Sequence, residues 1–109
     1  TDNITAAGLF EDSGAIVATN GETKMIKFYN PAGEEVKSIE AEHSIQNITV
    51  YKNTAAVIYG SKALFYDSSG RLIDNASLPG ISLSVHFINN AQAFLVTEHE
   101  AVLYNISNK

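Results

Sequence analysis

Apolar residues along this chain fall in short runs rich in β-branched and aromatic types, and each run is closed by Gly, Asn, Asp or Ser. No stretch sustains the 3.6-residue period of an amphipathic helix, so the pattern predicts strands throughout. The first unit reads as strands at 4–10, 15–19, 25–29 and 35–40, with turns at 11–14, 20–22 and 31–33. Asn20-Gly21 is a hairpin signal, because both central residues of a type I′ turn need φ > 0, which Asn tolerates and Gly adopts freely. The second unit repeats the arrangement at 45–51, 55–59, 63–66 and 71–78, and the third at 83–88, 93–97 and 101–104. The third unit is expected to end inside the turn before its fourth strand, with Asn108 in the place that Gly33 and Gly70 hold.

The units share a motif as well as a rhythm. Tyr29-Asn30-Pro31-Ala32-Gly33 returns as Tyr66-Asp67-Ser68-Ser69-Gly70 and again as Tyr104-Asn105-Ile106-Ser107-Asn108, with tyrosines 37 and 38 residues apart. A period of this size is the mark of stacked structural repeats. A single array is expected, with units at about 4–41, 45–78 and 81–109.

Several runs are apolar at every position, as in Ala55-Ala56-Val57-Ile58-Tyr59 and Ala93-Phe94-Leu95-Val96. A sheet with one wet face would alternate strictly, so these strands are expected to be covered on both sides. The fourth strands mix Val36 and Ile39 with Lys37 and Ser38, and Leu72 and Ile73 with Arg71 and Asp74. Polarity of that kind suits an outer edge, where charge discourages pairing with another chain.

Composition narrows the class. The 109 residues are 45% hydrophobic with a net charge of −5, which fits a folded domain and not a solvated tail. The seven basic residues are scattered, so no stripe exists to neutralise a nucleic-acid backbone or an anionic membrane surface. Cysteine is absent, which removes disulfides and thiolate metal sites. No apolar run approaches the roughly 18 residues of a membrane helix, and no direct insertion into a membrane is expected. The start at Thr1 is read as that of a mature product, a fragment or an excerpt. The compartment stays open, with an extracytoplasmic or cell-surface place in a bacterium carried forward as the expectation.

The segment Ile26-Lys27-Phe28-Tyr29-Asn30-Pro31-Ala32-Gly33-Glu34, echoed by Ala63-Leu64-Phe65-Tyr66-Asp67-Ser68-Ser69-Gly70-Arg71, resembles the third-strand segment of β-propeller blades of the WD-like and bacterial YVTN-like kind. The resemblance implies an all-β fold of four-stranded antiparallel blades, about 2.75 of them, with a closed β-sandwich or barrel as the alternative. Trp is absent, no Gly-His pair precedes the second strand and no Asp-x-Asp-Gly calcium loop occurs, so no subfamily is assigned. Propellers close with about four to eight blades. The remaining blades are therefore expected from the same protein or from copies of this chain, two copies giving about five or six and three about eight.

Candidate chemistry is sparse. His43, His86 and His99 share neither a repeat position nor a metal-ligand spacing, and the acidic pairs Glu34-Glu35, Glu40 with Glu42, and Glu98 with Glu100 fall in turns or polar strands. Asn30, Asp67 and Asn105 sit where a side chain can accept a turn N–H. No nucleophile elbow, phosphate loop, zinc signature or dinucleotide fingerprint is present, and no cofactor is expected. The candidate binding positions are Glu42, His43 and Ser44 in the loop between the first two units, Pro79 and Ser82 in its counterpart, and His86 if first strands line a channel. The expectation is a non-catalytic scaffold that recognises a protein or ligand. Its rivals are a propeller hydrolase or lyase with its site over the channel, and a structural self-assembling oligomer.

Overall fold

A computed structural model describes residues 3–11, 14–20, 23–41, 45–77, 82–89 and 91–106. All regular structure among them is β. Eleven strands follow one another as β1 (Asn3–Leu9), β2 (Ala15–Asn20), β3 (Lys24–Tyr29), β4 (Glu35–Glu40), β5 (Asn47–Tyr51), β6 (Thr54–Tyr59), β7 (Lys62–Asp67), β8 (Leu72–Ser77), β9 (Ser82–Asn89), β10 (Gln92–Thr97) and β11 (Ala101–Asn105). They form three antiparallel meanders, β1-β2-β3-β4, β5-β6-β7-β8 and β9-β10-β11, and every strand expected from the pattern lies within a residue or two of its place.

Turn chemistry explains why neighbours in sequence pair. Gly33 and Gly70 stand at φ 85° and 90°, a region that L side chains avoid, and each closes the same turn between third and fourth strands. Asn30 Oδ1 accepts the N–H groups of Ala32 at 3.0 Å and Glu34 at 2.9 Å, and Asp67 Oδ1 accepts those of Ser69 at 3.0 Å and Arg71 at 2.9 Å. Both turns lead into a register shift at the following pair of strands, Phe28/Tyr29 in one sheet and Phe65/Tyr66 in the next. Asn105, the third member of the series, accepts Gln92 Nε2 at 3.0 Å. The expected Asn20-Gly21 turn and the place of Asn108 lie outside the described residues.

The sheets stack face to face with the β5–β8 sheet in the middle. Ile16, Ala18, Ile26 and Phe28 of the first sheet meet Ala55, Val57 and Tyr66 of the second. On the other side, Ala56, Ile58, Ala63 and Phe65 of the second meet Val85, Ala93 and Leu95 of the third. Apolar residues at consecutive positions of β6 are thereby buried on alternate faces, the arrangement its continuous run predicts. Each fully buried Phe contributes about 2 to 3 kcal/mol of transfer free energy. Rings add direction, with Phe28 tilted on Tyr66 at 5.5 Å, Phe65 stacked on Tyr104 at 5.6 Å and Tyr51 stacked on Phe87 at 5.8 Å.

The sheets approach most closely along one edge. β1 runs beside β5 and β5 beside β9, whereas β4 and β8 make no comparable approach to each other. Gly8 permits the first of these contacts, since a Cβ there would collide with the side chain of Val50. Glu11 N–H also donates to Lys52 O at 2.9 Å, joining the first two sheets through backbone. The three sheets thus fan outward from their first strands.

Candidate functional site

The loops between sheets leave the fourth strand of one unit and enter the first strand of the next, after Glu40 and before Asn47, and after Ser77 and before Ser82. Of the residues expected to bind there, Glu42, His43, Ser44 and Pro79 lie outside the described residues, and Ser82 is described only as the backbone that opens β9. His86 is exposed. It lies opposite Phe94 on the face of β9 that looks away from the other sheets, with Nε2 3.0 Å from Ser84 Oγ. Alternation places residues 84 and 86 on one face, so this contact follows directly from the strand. His86 makes no second side-chain hydrogen bond among the described residues.

Outside those loops, the described surface has a shallow hollow of about 530 Å³ on the outward face of the first sheet. Leu9, Phe10, Gly14, Ala15 and Tyr29 line it together with the Asn30 to Gly33 turn. Sequence reasoning missed it because its lining comes from three separate stretches of chain. It carries no titratable cluster, and its chemistry is that of an apolar seat beside an aromatic ring. The described residues hold no group of three or more metal-ligating side chains. The acidic residues Glu34, Glu35, Glu40, Glu98 and Glu100 are exposed, with Glu35 3.7 Å from Lys27 Nζ and Glu98 3.6 Å from His99 Nε2. None is held in a desolvated pair of the kind acid/base chemistry requires.

Among the described residues, Tyr104, Tyr66 and Asp67 titrate away from their ordinary values, and each has a structural cause. Burial, then the hydrogen bond and charge of Asp74, push Tyr104 up to about 12. Burial and the neighbouring Tyr59 push Tyr66 up. For Asp67 burial alone would raise the value, but hydrogen bonds from Ser69 and Arg71 outweigh it and hold the carboxyl below the usual range. All three hold turns and sheet junctions together.

No family model and no curated protein matches the chain. Solved structures do. A protein of unknown function from Bacteroides caccae is 22% identical with a TM-score of 0.64, over 99% of this chain and 44% of its own. Hsv2 of Kluyveromyces marxianus is 14% identical with a TM-score of 0.64, over 99% of this chain and 34% of its own. Hsv2 of Kluyveromyces lactis is 16% identical at 0.63, with the same coverage. The likeness is one of fold. Hsv2 is a β-propeller, so the three antiparallel sheets of this chain are propeller-like, and the chain spans less than half the length of the structures it matches.

Proposed function

We propose that the chain is a β-propeller segment of about 2.75 blades that serves as a non-catalytic scaffold, recognising a protein or ligand through the loops that join successive blades. The observation that carries this reading is the fan: β1, β5 and β9 converge along one edge while the polar strands β4 and β8 stand apart. A closed sandwich would bring whole faces together evenly. The fan is what blades around a common axis require. Two apolar junctions and tight turns fixed by Asn30 and Asp67 make the array rigid, and rigidity is what a loop-borne site needs from its support. Further blades cover the outward faces of the first and third sheets.

A second reading, a hydrolase or lyase, draws on the Ser84 to His86 contact, which has the length of a nucleophile–base hydrogen bond. A thermal-shift panel of divalent cations, saccharides and peptides separates the two. The scaffold reading expects a saccharide or peptide to stabilise the chain, and expects that stabilisation to vanish when Glu42, His43, Ser44 and Pro79 are replaced by Gly and Ser. Cation-dependent stabilisation that disappears in His86→Ala would overturn it in favour of the enzyme.

A further inference from the structure

We propose that the Tyr104 hydroxyl and the Asp74 carboxylate guard the outer edge of β8, occupying the outward backbone groups of Asn75 so that β8 of a second copy is kept from pairing with them. The inference is independent of the propeller reading and of what covers the outward faces of the first and third sheets. β8 is the outermost strand of the middle sheet and pairs with β7 alone among the described strands.

The sequence of β8 supplies little protection of its own. An outermost strand offers a row of unpaired N–H and C=O groups to any other chain, and charged side chains are the usual deterrent. β4, the outermost strand of the first sheet, carries Glu35, Lys37 and Glu40. β8 reads Leu72-Ile73-Asp74-Asn75-Ala76-Ser77, with Asp74 as its single charge and Leu72 46% exposed. The registers make Leu72, Asp74 and Ser77 the equivalents of Glu35, Lys37 and Glu40, so the second unit keeps a charge at the middle position and none at the outer two.

The charge that remains is built into a network at the edge. In an antiparallel pair every second residue turns both backbone groups away from the neighbouring strand. Asn75, opposite Leu64, is marked as such a residue by the bonds it makes. Its N–H donates to Asp74 Oδ1 at 2.8 Å. The Tyr104 hydroxyl, which donates to Asp74 Oδ2 at 2.7 Å, stands 3.2 Å from Asn75 O, where an incoming strand would place its own N–H. One carboxylate therefore holds the edge amide with one oxygen and the hydroxyl that covers the edge carbonyl with the other. A strand arriving from outside has to break both bonds before it can form its own.

A second β8 is the strand that the edge would otherwise accept. Two copies paired antiparallel about Asn75 would set Ile73 opposite Ser77 of the other copy and Asp74 opposite Ala76 of the other copy, with no like charges opposed. Two β4 strands lack that freedom, since each brings three charges to the edge.

Sedimentation velocity of the full 109-residue chain over a concentration series tests the guard. Tyr104→Phe, which alters no charge at neutral pH, and Asp74→Ala are each expected to associate at about tenfold lower concentration than the wild type. Asp67→Ala removes a carboxylate and turn bonds from the same sheet without touching the edge of β8, so it controls for lost charge and lost stability. Leu72→Glu with Ser77→Glu gives β8 charges where β4 carries them, and added to Tyr104→Phe the pair is expected to restore the wild-type concentration dependence. In associated Tyr104→Phe the amides of Leu72 to Ser77 are expected to exchange more slowly than in the dilute protein, and circular dichroism confirms that each variant is folded. Tyr104→Phe and Asp74→Ala that associate no more than Asp67→Ala would overturn the guard. So would an excess of association that persists with both glutamates in place.

Discussion

Tyr104 donates its phenolic hydrogen to Asp74 Oδ2 at 2.7 Å, across 30 residues of sequence, and so ties the last strand of the third sheet to the outermost strand of the second. The same hydroxyl lies 3.2 Å from Asn75 O. Tyr104→Phe keeps the ring against Phe65 and removes only the hydroxyl, so the cost is about 1 kcal/mol by chemical denaturation.

That bond also predicts a response to alkali. Tyr104 is raised from 10.0 to about 12, so the folded state holds its proton where the unfolded state has released it. Its contribution is complete below pH 10.0 and is lost as pH rises through about 12. A urea midpoint that falls across this window in the wild type, and falls less in Tyr104→Phe, is the expected outcome. The decline that remains in the variant belongs to Tyr66, which is raised in the same direction.

Asp67 gives the opposite dependence. Its carboxyl is held below 3.8, so its stabilising effect is present above that value and is lost as acid protonates it in the folded state. Asp67→Asn keeps an oxygen for the turn, as Asn30 does, and is expected to change stability by less than about 0.5 kcal/mol near neutrality while flattening the acid limb. Asp67→Ala leaves the turn N–H groups of Ser69 and Arg71 without that acceptor and is expected to cost about 1 kcal/mol. Denaturation of the three proteins at neutral and acid pH checks both statements.

The eleven strands were legible because the signals that define them are local. Gly33 and Gly70 demand a left-handed backbone, Asn30 and Asp67 supply turn acceptors, and the intervening runs alternate or stay apolar according to burial. The two-sided burial of β6 could be read directly from Ala55 to Tyr59. Contacts between sheets could not. Asp74, which accepts from Tyr104, is equivalent in register to Lys37, which lies over Gly70, so the repeat gives no sign of which junction is polar and which is packed. The hollow beside Tyr29 was hidden for the same reason, since Leu9, Ala15 and Asn30 come together only when strands pair.

Gly33 and Gly70 share a backbone conformation and differ in what stands above them, so they separate strain from packing. Gly33→Ala places a Cβ at φ 85° in open space and is expected to cost about 1 kcal/mol from backbone strain alone. Gly70→Ala carries the same strain and also presses on Phe28 and Lys37. It is expected to cost about 1 kcal/mol more. Equal losses would mean that the junction between the first two sheets yields freely around Phe28.

Phe65 decides whether the second junction is the rigid element that the scaffold reading requires. The ring is fully buried, stacked 5.6 Å from Tyr104 and set edge-on at 6.2 Å from Phe87, so two aromatic side chains of the third sheet depend on its volume. Phe65→Ala removes that volume from a site closed on both sides and is expected to cost about 3 to 5 kcal/mol. A domain of this size has only about 5 to 15 kcal/mol in all. The third sheet, held by this cluster and by the bond from Tyr104 to Asp74, is then expected to exchange its amide hydrogens far faster than the first. Leu72→Ala, on the exposed part of β8, is the control and is expected to stay within about 0.5 kcal/mol of the wild type. Hydrogen exchange that rises evenly over all three sheets in Phe65→Ala would show a single cooperative unit, while a rise confined to β9, β10 and β11 would show that blades of this array unfold one at a time.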